Sequence, residues 1–190
     1  MTIDSKVILC GDSMSGKTSL ICRAISNDFD LEMPTTIGAC FPEKRVELPN
    51  VTVNLLICDT AGRERFRSLA PFYYRGTIVA ILVFTLTDLE SLDYAKKCAS
   101  DMKKEIDEMP ALFLVGNNRD LIEERTITSE QGEQAAKEIN AIYYEVSSNT
   151  GFGVEELFEK VAYESAKKLL KEKFVVSSIQ INLNFKALKN

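Results

Sequence analysis

Histidine is absent from the chain, and the five cysteines (Cys10, Cys22, Cys40, Cys58 and Cys98) include no CxxC pair. Without those spacings and with no imidazole to complete a ligand set, a structural zinc site has no basis. The cysteine number is odd and no signal-peptide pattern precedes the first of them. They read as reduced thiols in a reducing compartment, most of them small buried hydrophobes. No apolar run is long enough to span a bilayer. The opening Met1-Thr2-Ile3-Asp4-Ser5 has no targeting character, and Thr2 stands where N-myristoylation needs glycine. There is no internal repeat and no low-complexity segment. Positive charge is in deficit, with a formal net charge of −5; this argues against nucleic acid as a main partner. Lys167, Lys168, Lys171 and Lys173 form the one basic cluster, which reads as a solvated helix face, with a lipid-contacting patch as the alternative.

The 190 residues suffice for one domain with a full core. Short apolar runs alternate with helical stretches. Strands are predicted over 6–10, 44–48, 51–58, 78–84, 112–115 and 143–146, and helices over 18–25, 92–106, 129–139 and 154–170. Val51, Val53, Leu55 and Ile57 alternate with less apolar residues, the period of a half-buried strand. The 78–84 run is apolar throughout, as in a strand covered on both faces. Pro49-Asn50 separates two strand-like runs by a tight turn, so that pair must be antiparallel. The fold class expected is α/β: a six-stranded, mostly parallel sheet with one antiparallel strand, flanked by about five helices. Gly11, Asp59, Asn117 and Ser147 fall just beyond strand ends, on the edge where such folds bind ligands. Beyond the last helix, Ile179, Ile181, Leu183 and Phe185 alternate with Gln180, Asn182 and Asn184. That period-two tail is open to reading as an added strand, a partner-binding segment or the start of a further unit.

The chemistry begins at Gly11-Asp12-Ser13-Met14-Ser15-Gly16-Lys17-Thr18, which matches G-x-x-x-x-G-K-[ST] between a strand and a helix. Glycines let the backbone curl around a phosphate, and the loop amides with the helix N-terminus, through Ser19, face its charge. Lys17 supplies a point charge for the terminal phosphates, and the Thr18 hydroxyl can ligate Mg²⁺. Asp59 closes an apolar strand ahead of Thr60-Ala61-Gly62; a carboxylate there can hold Mg²⁺, and Gly62 offers a backbone N–H to a γ-phosphate.

Asp59–Phe66 resembles the DTAGQERF segment of small GTPases of the Ras superfamily. Thr36-Ile37-Gly38 with Phe41, Phe66-Arg67-Ser68, and Tyr73-Tyr74-Arg75-Gly76 resemble signatures of its Rab branch. Asn117-Asn118-Arg119-Asp120 is similar to the N-K-x-D motif, and Ser147-Ser148-Asn149 to the S-A-K motif. The resemblance implies a G domain over residues 1–173 followed by an extension over 174–190, binding GTP or GDP with Mg²⁺. It implies Thr18, Thr36 and Asp59 around the metal, and Asp120 accepting from guanine N1–H and N2–H₂. Asn117 would tie the base loop to the phosphate loop, Ser147, Ser148 and Asn149 would read the base edge through their backbone, and Phe29 would pack on base or ribose. Lys17, Thr36, Gly62 and Arg63 form the implied catalytic set. Residues 29–41 and 59–76 would meet effectors and regulators. The implied place is cytoplasmic, peripheral on vesicle membranes through partners.

Four departures stand out. Arg63 occupies the place of the Gln that orients the attacking water, and a guanidinium has no acceptor; slow hydrolysis follows, although Arg63 could itself approach the γ-phosphate. Asn118 and Asn149 replace two lysines whose stems sandwich the guanine. The final Phe185-Lys186-Ala187-Leu188-Lys189-Asn190 contains no cysteine for prenylation. Cys40 and Cys58 stand where Rab proteins carry an acidic residue and Trp, so the partner surface is altered. Two other readings remain: a pseudo-GTPase scaffold with little or no turnover, and an ATP-directed enzyme, against which Asp120 speaks. Loss of the lysine stems predicts fast nucleotide release. Dissociation of labelled GDP is therefore expected to slow in Asn118→Lys; slow release in the parent chain, unchanged by the substitution, would count against it.

Overall fold

The computed structural model describes residues 1–27, 41–59 and 70–170. Phe29, Thr36, Gly62 and Arg63, together with the tail from residue 171, lie outside them. In chain order the elements are β1 (Thr2–Gly11), α1 (Lys17–Ser26), β2 (Glu43–Leu48), β3 (Val51–Asp59), α2 (Ala70–Tyr74), β4 (Val79–Thr85), α3 (Leu89–Glu105), β5 (Ala111–Asn117), α4 (Ser129–Glu138), β6 (Ile142–Glu145) and α5 (Val154–Leu170). The six strands form one sheet in the order β2-β3-β1-β4-β5-β6. Among the described residues only β2 runs antiparallel, pairing Leu48 with Val51 across the turn. There Pro49 fixes one φ and Asn50 takes a left-handed φ of 74°, the residue choice of a type II turn.

Strand alternation decides which side chains meet which helices. Val7 and Leu9 of β1 pack with Val53, Leu55 and Ile57 of β3 against α1 and α5. Ile8 and Cys10 point the other way, with Ala80, Leu82 and Phe84, against α3 and α4. All seven residues of β4 are buried, as a strand covered on both faces requires. Cys10, Cys58 and Cys98 are buried free thiols in the second of these layers, and burial pushes the Cys58 thiol up to about 11. Ser5, a polar residue inside β1, is accommodated by a hydrogen bond from its hydroxyl to Ser165 Oγ at 2.8 Å.

The boundaries shift where local hydrogen bonding overrides apolar spacing. Helix α3 starts three residues before the predicted onset because Asp88 caps it, accepting from the Glu90 amide. Helix α4 is capped by Thr128 through a reciprocal capping box with Gln131, which frees the Ser129 hydroxyl for a tertiary contact. Helix α2 is absent from the sequence reading, being too short for a periodicity to register. Lys167 and Lys168 belong less to solvent than expected: Lys167 pairs with Glu164, and Lys168 donates to the Met109 carbonyl at 2.5 Å and pairs with Glu108.

The edge strand β6 is tied to α4 by Glu145. Its carboxylate accepts from both Arg125 terminal nitrogens, at 3.0 and 2.5 Å, from Ser129 Oγ at 2.8 Å, and from the Tyr143 hydroxyl at 2.9 Å. Desolvation alone would raise this carboxyl, but the Arg125, Ser129 and Tyr143 donors outweigh it and hold the group below the usual carboxylate range. A depressed folded-state value stabilises the fold above the unfolded carboxylate pKa, and that contribution is lost as pH falls through the folded one. Glu145→Gln is therefore expected to be less stable than the parent at neutral pH, with the gap closing in acid below the carboxylate range. Denaturant unfolding at several pH values reads this out; a gap independent of pH would refute it.

Candidate nucleotide-binding site

The described site residues converge at the carboxyl edge of the sheet, around β1, where the strand order turns. Chain extension along β1 ends at Gly11, and a Cβ there would sit 2.1 Å from the Val83 carbonyl oxygen, so the close approach of β1 to β4 requires glycine. The chain then loops through Ser13 and Met14, both exposed, to Gly16, the left-handed N-cap of α1. Met14 sits at a φ of 66° with 93% exposure, a side chain raised off the loop. Inside the loop, Ser15 Oγ donates to the Asp12 carbonyl at 2.9 Å. The buried Lys17 ammonium donates to the carbonyls of Gly11 at 3.1 Å and Asp12 at 2.6 Å. Burial lowers its pKa, opposed chiefly by the Asp59 carboxylate. Ser19 lies one residue further into α1.

Thr18, at the start of α1, donates its hydroxyl to Asp59 Oδ2 at 2.7 Å, across 41 residues of sequence. Asp59 is the last residue of β3 and is 2% exposed. A hydroxyl beside a buried carboxylate is a hard-oxygen donor pair, and it fits Mg²⁺.

The residues expected to read the base gather around Asn117, the buried last residue of β5. Its Nδ2 donates to the Ser15 carbonyl at 3.2 Å, while its Oδ1 accepts from the Ser148 amide at 3.1 Å and the Ser148 hydroxyl at 3.0 Å. A Cβ on Gly16 would lie 2.2 Å from Asn117 Nδ2, so the second loop glycine makes room for this bridge. Asp120 Oδ1 accepts from Ser147 Oγ at 2.5 Å and Oδ2 accepts from Asn149 Nδ2 at 3.0 Å. Desolvation pushes the Asp120 carboxyl up, but those two donors more than offset it and keep the group below its ordinary value.

Two placements differ from simple side-chain loss. Asn118 takes a left-handed φ of 62°, which Asn tolerates better than most residues, and donates to Thr85 Oγ1 at 3.1 Å. Asn149, beyond standing in for a lysine stem, contributes a hydrogen bond to the Asp120 carboxylate. The sequence reading also missed Arg23 of α1, whose Nε donates to the Ser148 carbonyl at 2.8 Å and whose Nη2 donates to the Asn149 carbonyl at 2.6 Å. No local motif announces it, since Ser148 and Asn149 lie more than a hundred residues away.

The arrangement brings a phosphate loop, an oxygen pair for a divalent cation and an orienting carboxylate onto one edge, which is a nucleotide site in outline. A family model described as the Ras family matches residues 6–167. The chain is 39% identical over 167 residues to Ras-related protein Rab5 of Nicotiana tabacum, covering 88% of this chain and 82% of that protein. It is 40% identical over 173 residues to Ras-related protein RabJ of Dictyostelium discoideum, covering 91% of this chain and 66% of that one. With the six-stranded sheet, the phosphate loop and the Asn117 bridge in place, the chain belongs to the Ras family and is a Rab-like small GTPase.

Proposed function

We propose that this chain is a guanine-nucleotide switch of the Rab kind whose own GTP hydrolysis is slow. The observation that carries the guanine part is the buried Asn117 side chain, which holds the phosphate loop and the base-reading loop in one register. Ser13, Met14, Ser15, Gly16, Lys17, Thr18 and Ser19 would surround the phosphates, with the Lys17 ammonium as the charge at their terminal end. Asp120, already set by Ser147 and Asn149, would accept from the guanine N1–H and N2–H₂. Adenine lacks that donor pair and would leave the carboxylate poorly matched. Asn118, Ser148 and Phe29 complete the proposed base pocket. Thr18, Asp59 and Thr36 would hold Mg²⁺, which when bound neutralises charge on the phosphate oxygens.

Signalling would follow from residues 29–41 and 59–76, which include Thr36 and Gly62, contacting the γ-phosphate in one state and releasing it in the other. In their described parts, Phe41 is 63% and Phe72 69% exposed, and exposed aromatic surface of this kind suits partner binding. As with Rab proteins in general, the implied setting is vesicle transport, with membrane contact made through partners.

Slow hydrolysis rests on Arg63. Water attack on the γ-phosphate needs a group that accepts a hydrogen bond from the water, and Arg63 offers donors only. The single-turnover rate of the nucleotide-loaded chain is expected to rise in Arg63→Gln, by tenfold or more on the order of what water-orienting groups supply. No gain in Arg63→Gln would remove the claim of impaired hydrolysis while leaving nucleotide binding intact.

A further inference from the structure

Asp120 reads a base edge only if its loop holds still, and the residue before it is fastened more firmly than a surface arginine usually is. The Arg119 amide donates to the Val146 carbonyl at 3.1 Å. Its guanidinium carbon lies 4.1 Å from the centre of the Phe152 ring, and its Nε is 3.5 Å from Glu145 Oε2. The three contacts join the loop after β5 to the end of β6 and to the loop that follows it. Glu145 is itself immobilised by the Arg125 fork, Ser129 and Tyr143, so the arginine is paired to a fixed anchor.

Phe152 is no bystander on the opposite loop. Its carbonyl accepts from the Ser147 amide at 3.0 Å, and Ser147 is the residue whose hydroxyl meets Asp120 Oδ1 at 2.5 Å. Two contacts therefore lie side by side between the same two loops: Arg119 on Phe152 and Glu145, and Asp120 on Ser147 and Asn149. A guanidinium over a ring together with a fixed carboxylate suits arginine, whose planar fork differs from the point charge of lysine.

We propose that Arg119 is a positioning residue for guanine selectivity, a clasp that closes onto Phe152 and Glu145 and thereby aims the Asp120 carboxylate. The inference rests on the guanine-binding reading above. Asn118 and Asn149 provide no lysine stems to hold the purine from its two faces. The burden of orientation shifts to the loop-to-loop fastening, and Arg119 supplies it from outside the pocket without touching the nucleotide.

The test compares GDP with inosine diphosphate, which lacks the 2-amino group and so forfeits one of the two hydrogen bonds to Asp120. The parent chain is expected to prefer GDP by roughly tenfold or more, the size of one charge-assisted hydrogen bond. In Arg119→Ala and in Phe152→Ala that preference is expected to narrow about three- to fivefold, the scale of a stacked cation at a half-exposed site. Phe152→Tyr, which keeps the ring, restores it, and the double variant loses little more than either single one. Equal weakening of both nucleotides, with the GDP-to-inosine ratio unchanged in both alanine variants, would reduce Arg119 to a structural contact and overturn the clasp. If the parent chain binds both nucleotides equally, or neither, the guanine reading itself falls and takes the clasp with it. Should Arg119→Ala fail to fold, the ratio in Phe152→Ala and Phe152→Tyr decides alone.

Discussion

One buried amide constrains the rest of the site. Asn117 has no exposure to solvent, and all of its side-chain hydrogen bonding is used to join chain segments far apart in sequence. A buried amide left with a missing partner costs on the order of 1–3 kcal/mol, so neither loop can drift without penalty. Gly16 gives up its side chain to let that amide in, and Ser15 and Ser148 present backbone to it. The phosphate loop and the loops after β5 and β6 are consequently one mechanical unit, although they occupy different strand ends.

The sheet makes this economical. Parallel strands β1, β3, β4, β5 and β6 deliver their C-terminal ends to one edge, and the helices α1 and α5 on one face and α3 and α4 on the other hold those strands flat against two apolar layers. Strands position Asp59 and Asn117, while the loops beyond the strand ends carry Asn118, Asp120 and Asn149. Two of the chain's departures from its family lie in those loops. Asn118 and Asn149 lose apolar stems and gain hydrogen bonds, to Thr85 and to Asp120.

How much of this could be read in advance follows from the range of each interaction. The β3 alternation and the continuous β4 run announced themselves because burial acts residue by residue, and the phosphate loop did so because glycine and lysine at fixed spacing have few other uses. Thr18 and Asp59 were legible as two motif positions, and the fold brings them to a 2.7 Å hydrogen bond. Arg23, Arg119 and Glu145 were not legible. Each acts through partners brought near only by the completed fold, and an arginine or glutamate in a polar stretch looks like solvated surface until its partner is known. The onset of α3 was missed for a related reason: Asp88 moves the boundary by capping, which apolar spacing does not register, whereas α4 begins at Ser129 as predicted.

In the proposed function the signal would reside in the segments around Thr36 and Gly62, and the ligand choice in the frame. The frame is the part held by Asn117, Asp120 and the loops after β5 and β6, and guanine selectivity is the property it must deliver before any hydrolysis rate matters. The nucleotide carried through purification, released by denaturing the protein and identified by chromatography, examines that property directly. Near-stoichiometric GDP or GTP is the expected result; an empty protein that takes up no guanine nucleotide with magnesium, or one that carries adenine nucleotides, would contradict it.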